Sequence, residues 1–280
     1  MTAFTRQLGR EIQRLSARRR TYLGFWGFLA LEVVILLLLS RADSREEFRR
    51  LLQENGLEFD RYFSGLTLGV EIVVWTGFMP GALFLAFVSG DTMANEAEEG
   101  TLRMVFCRPV SRRRVVVVKY LTCLLYTGAL IGFLGVTALA LGVATRGWGG
   151  LFVPPSLGHL VAWHGAGGVA RFALGVPLLA LGLTTVTSLG FLFSCLGMKP
   201  VTAMIGTISL VCLDFLFSSV PYFESVRPWF ISARVAAWQL VFTDPIPWSR
   251  LTGDYACLLA VDLICVGLAL AVFQRRDLPR

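Results

Sequence analysis

Charge is what this sequence has least of. Only 16% of its 280 residues are charged, where a soluble domain of this size carries about 25%. Hydrophobic residues make up 55% and the mean hydropathy is +0.65, which excludes an ordinary soluble body. Nucleotide and catalytic signatures are missing too. There is no G-x4-G-K-[ST] loop to cradle phosphates, so ATP is not bound here in that manner. Neither H-E-x-x-H nor G-x-S-x-G occurs. The chain therefore brings no recognisable energy source or catalytic set of its own. Six cysteines are present, none in C-x-x-C spacing. Cys123, Cys195, Cys212 and Cys265 fall inside apolar runs, which argues against a disulfide framework or a zinc site. The two histidines, His159 and His164, have no cysteine or carboxylate near them in sequence.

What is present is a set of long apolar runs, predicting one all-α membrane domain over residues 1–280. Six spans are expected at about 22–39, 66–89, 115–144, 172–196, 201–220 and 255–273, each long enough to cross ~30 Å of hydrocarbon at 1.5 Å per residue. Pro80-Gly81 marks a kink in the second. Gly197-Met198-Lys199-Pro200 is a tight turn between the fourth and fifth. Ahead of the first span, Phe4, Leu8, Ile12 and Leu15 form a stripe at helical spacing among Arg6, Arg10, Arg14, Arg18, Arg19 and Arg20. Such a basic amphipathic helix suits the surface of an anionic bilayer. Residues 40–64 hold a second amphipathic stretch around Phe48, Leu51 and Leu52. Residues 145–171 read as a Gly- and Pro-rich loop with Trp148 and Trp163 at the interface. Residues 221–254, broken by Pro221, Pro228, Pro245 and Pro247, read as an interfacial or re-entrant hairpin.

Orientation follows from arginine and lysine. If both termini share a side, that side carries sixteen of the 26 bases, including Lys199 and the segment between spans two and three. The net charge of +7 is then topogenic rather than a nucleic-acid footprint. Both termini are predicted to be cytoplasmic.

The segment Gly90–Lys119 stands apart. Asp91, Glu96, Glu98 and Glu99 crowd its start, and Arg103, Arg108, Arg112, Arg113, Arg114 and Lys119 follow. Glu99 and Arg103 have the favourable acid-first i,i+4 order. Leu102, Val105 and Phe106 give a short helix one apolar face. Pro109 ends it, and Ser111 can cap the next helix. Read locally, this is a polar loop on the cytoplasmic surface, placed to meet a soluble partner.

Asp91, Glu96, Glu98, Gly100-Thr101-Leu102, then Arg108-Pro109-Val110-Ser111-Arg112 and Lys119, closely resemble the segment between spans two and three of type-2 ABC exporter permeases. The ending Phe273-x-x-Arg276-Asp277-Leu278 also looks like that family's. The resemblance implies the translocating subunit of an exporter in a bacterial or archaeal plasma membrane, and not an enzyme itself. It implies a separate nucleotide-binding ATPase carrying the ATP and Mg, and a second permease chain, alike or related. Asp91, Glu96, Glu98, Glu99, Gly100 and Thr101 would form the coupling helix on which the ATPase docks. No cofactor on this chain, and no partner beyond these and membrane lipid, is implied.

Four acids fall inside spans: Glu32, Glu71, Asp214 and Asp262. No Lys or Arg is expected at their depth. Glu32, Asp214 and Asp262 come at similar depth on three spans, so they could line a polar pathway, or each could be protonated and bonded across a helix contact. Glu71 is expected near the outer interface. A carrier using these acids, or an intramembrane enzyme using His159 and His164, are the competing readings.

Overall fold

A computed structural model describes residues 3–17, 19–56, 58–102, 111–153, 161–163 and 165–275. The predicted helices for Val105–Phe106, both histidines and the ending at 276–280 lie outside these. Helix α1 spans Ala3–Ala17 and α2 Arg19–Leu39, followed by α3 (Ala42–Glu54) and α4 (Phe59–Tyr62). The second span is two helices, α5 (Gly65–Gly77) and α6 (Met79–Glu98), meeting at a 44° bend. Pro80 lies just inside α6 and has no N–H to offer the preceding turn, which explains the break. Then come α7 (Arg112–Arg146), α8 (Ala166–Cys195), α9 (Pro200–Ser219), α10 (Ile231–Val235) and α11 (Trp248–Arg275). Among the described residues, five helices are long and apolar enough to cross a membrane, and six spans result if the bent pair counts as one. The protein is thus an all-α integral membrane protein, as its apolar runs predict.

Three features depart from the sequence reading. First, residues 151–153 and 161–163 pair as antiparallel strands β1 and β2, with Phe152 opposite Ala162. Thr67 fixes this pair to the start of α5, since its hydroxyl accepts the Phe152 N–H at 3.0 Å. Second, residues 221–242 fold as two 3₁₀ helices, Pro221–Trp229 and Ala236–Phe242, flanking α10. Trp238 and Phe242 are buried against the rest of the protein there. Their rings pack on Gly175 of α8, where a Cβ would lie 3.3 Å from both. Third, α7 is 35 residues long, about 52 Å of helix, well beyond ~30 Å of hydrocarbon.

Helix α8 is more enclosed than α2, α7, α9 or α11. Its small residues permit this close packing: a Cβ at Gly182 would meet Val235 at 3.1 Å, and one at Gly190 would collide with the Ser89 hydroxyl. The main apolar core runs through α2, α5, α6, α7 and α8 and extends to Phe48, Leu52, Phe63 and Phe152. The stripe on α1 is turned partly toward this body: Leu15 packs on the core and Phe4 and Leu8 are half-buried, while Ile12 stays exposed.

Candidate functional site

Among the described residues, the polar start of the segment between spans two and three is helix rather than loop. Helix α6 continues nine residues past Ser89, to Glu98. Neighbouring helices make this possible by supplying polar partners. The Ser194 hydroxyl of α8 accepts the N–H groups of Met93 at 2.7 Å and Ala94 at 2.9 Å. Gly90 lets α9 approach, its hypothetical Cβ lying 3.1 Å from the Met204 backbone. Asp91, Thr92 and Glu96 are buried as a result.

The decisive contact is between Glu96 and Lys119. Glu96 Oε1 lies 2.6 Å from Lys119 Nζ, and the lysine side chain is 3% exposed. The same ammonium lies 3.4 Å from Glu11 Oε2 of α1. One cation thus ties together the end of α6, the first turns of α7 and the N-terminal helix. A low-dielectric setting makes such a pair costly to break from one side. The sequence reading counted Lys119 among the bases that follow the acids of this segment but did not pair it with Glu96. Its position twenty-three residues after Glu96 on the antiparallel neighbour was the available signal.

Beyond this lock the chain turns sharply. Gly100 has φ +71°, the left-handed conformation that ends helices and favours glycine. The Thr101 hydroxyl donates to the Glu96 carbonyl at 3.2 Å, and Leu102 drops into an apolar cluster with Met93, Val116 and Phe273. Glu98 and Glu99 are exposed. Glu99 accepts from Asn95 Nδ2 at 2.8 Å, and the predicted partner Arg103 lies outside the described residues. The expected coupling residues therefore divide. Asp91 and Glu96 are inside the bundle, Gly100 and Thr101 make the turn, and Glu98 and Glu99 face outward. At the same end, Arg112 and Arg113 reach Gln274 of α11, on its carbonyl at 3.5 Å and its side-chain oxygen at 3.4 Å. The N-terminal helix, the end of α6, the start of α7 and the end of α11 thus share one end of the molecule.

A sequence model for a family described as "ABC-2 family transporter protein" matches residues 14–224. The chain belongs to this family. A Bacillus subtilis (strain 168) protein named "Uncharacterized protein YhcI" is 25% identical over 230 residues, covering 77% of this chain and 69% of the relative. The chain is a transmembrane permease component of an ABC transporter, and the whole Asp91–Lys119 unit falls within the matched residues.

In this ABC-2 permease the intramembrane acids do not gather. Glu32 is 0% exposed on α2, and neither carboxylate oxygen has a hydrogen-bond partner among the described residues. Asp214 on α9 accepts the N–H groups of Ile231 at 3.0 Å and Ser232 at 2.6 Å, so it holds the start of α10. Asp262 on α11 meets the Thr184 hydroxyl of α8 at 2.8 Å. Among the described residues, Asp214 and Asp262 each have their own hydrogen-bond neighbours. Glu71, expected near the outer interface, is buried. Among the described residues no group of three or more His, Cys, Asp or Glu could hold a metal.

Proposed function

We propose that this permease forms half of an export path, that a second permease chain supplies the other half, and that a separate nucleotide-binding ATPase drives both. ATP and Mg would be held by that ATPase. The observation that carries the reading is the buried Glu96–Lys119 lock with Glu98 and Glu99 exposed just beyond it. An acidic helix end transmits a push only if it is held stiffly, and this one is fastened to α1 and α7 through a single ammonium. The docking face is then the exposed pair, while Asp91 and Glu96 position it. By the positive-inside rule the crowded basic end faces the cytoplasm, where the ATPase is. A bacterial or archaeal plasma membrane is the setting.

A carrier working alone would need Glu32, Asp214 and Asp262 in one polar route. Their separate enclosures give that reading no support.

The test is Glu98→Lys/Glu99→Lys, assayed for stimulation of the co-purified ATPase. Stimulation should fall at least tenfold, the effect of ~1.4 kcal/mol, with membrane insertion intact. Full stimulation in that variant would remove the docking assignment.

A further inference from the structure

Asp262 sits ~20 Å from the Arg275 end of α11, at 1.5 Å per residue, and is 7% exposed. It faces a corner built of hydroxyls. Thr184 and Ser188 come from α8, and Tyr120 comes from α7 with its OH 2.9 Å from Ser188 Oγ. Thr185 Oγ1 and Asp262 Oδ1 are buried without a hydrogen-bond partner among the described residues. Tyr120 and Cys123 on α7 and Cys265 on α11 are the titratable side chains around this corner. The cation on α10, Arg234, is held by Asp254 at 3.1 Å, two turns before Asp262. The 3₁₀ helix 236–242 that also packs on α11 carries no charge.

The hydrogens in this corner can be counted. Ser188 Oγ lies 2.8 Å from the Thr184 carbonyl, which can only accept, so Ser188 donates there and Tyr120 donates to Ser188. Thr184 Oγ1 lies 2.6 Å from the Leu181 carbonyl, again an acceptor only, and 2.8 Å from Asp262 Oδ2. A hydroxyl has one hydrogen. If Thr184 gives it to Asp262, two bare oxygens face each other at 2.6 Å. If Thr184 gives it to Leu181, the contact with Asp262 needs a hydrogen from the acid. One proton on Oδ2 satisfies both contacts and removes the cost of an unpaired charge in hydrocarbon.

We propose that Asp262 is a proton-binding site: a neutral carboxylic acid donating from Oδ2 to Thr184, which latches α11 to α8. While the seam is closed the proton is retained. When the two helices part and water enters, the proton leaves to water, and the ionised acid opposes closure. The latch needs neither the cargo nor the ATPase, so its fate is independent of the function proposed above.

The test is infrared difference spectroscopy of the full chain in lipid nanodiscs at neutral pH, wild type against Asp262→Asn. The proposal expects loss of a protonated carboxylic acid C=O band. Loss of an ionised carboxylate band, with or without added sodium, overturns it. If Asp262→Asn does not fold, Asp262→Glu serves, with the acid C=O band shifted in position instead. The latch is read separately from maleimide labelling of Cys265, buried one turn along α11, as the only cysteine. Raising pH should accelerate labelling several-fold more in wild type than in Asp262→Asn. Equal acceleration in both rules out the latch.

Discussion

Replacing Lys119 by methionine should do more damage than its length suggests, and replacing Glu96 by glutamine alongside should repair part of it. Methionine nearly preserves the volume but takes the 2.6 Å ammonium contact from Glu96, whose side chain is 7% exposed, and deprives Glu11 of its second contact. Breaking a buried pair from one side costs about 3–5 kcal/mol, whereas replacing both partners by neutral groups is often close to neutral. The Glu11 contact is longer, at 3.4 Å, with Glu11 22% exposed, so it adds little and is screened. The expected order is therefore Lys119→Met well below wild type, with the double variant recovered by about 2 kcal/mol, inside the range found for coupled neighbours. Thermal unfolding in detergent with reversible controls measures the cycle. Trypsin supplies an independent reading, because Arg6, Arg10 and Arg14 on α1 are exposed. Release of α1 in Lys119→Met should speed cleavage there, and the double variant should not restore protection fully, since Glu11 remains unpaired by lysine. A single variant as stable as wild type, or a double variant no better than the single, would refute the idea that one buried ammonium organises this end.

Three other changes test the packing. Asp214→Ala strands two N–H groups at the start of α10 and should cost about 1–3 kcal/mol, with faster hydrogen exchange confined to residues 221–242; uniform exchange throughout would contradict it. Gly142→Ala drives a Cβ into the Gly65 carbonyl oxygen, a backbone atom that cannot swing away, so a loss of about 1–3 kcal/mol is expected in thermal unfolding. Trp238→Ala should cost about 3–5 kcal/mol and free the 221–242 segment from α8, seen as new protease sites in that segment.

How much was legible divides by the range of the interaction. Apolar runs announced the five long apolar helices and the bent pair α5–α6, because hydrocarbon thickness sets their length. The bend at Phe78 and the turn at 197–200 were legible from Pro80 and Gly197-Pro200, since proline and glycine act on their own backbone. The Phe48–Leu52 face of α3 was legible because an i,i+4 pair lies on one side of any helix. That the helix of the second span runs on to Glu98 was not legible, since polarity after Ser89 reads as a change to exposed chain. The hydroxyl of Ser194 and the ammonium of Lys119, about 100 and 23 residues away, help to hold that polarity inside the bundle. Strands of three residues each leave no usable periodicity. The burial of Trp238 was not legible, because the glycine that receives it, Gly175, is on another helix. Asp214 was grouped with Glu32 and Asp262 by depth, which says nothing about the direction in which a side chain points.

The measurement that bears most directly on the whole account is purification of the tagged chain in mild detergent, with its companions identified and ATPase activity assayed. A stoichiometric nucleotide-binding subunit, cross-linking to a cysteine placed at Glu98 and hydrolysing ATP, is the predicted result. A single species with no ATPase, from membranes where the chain is active in transport, would contradict it.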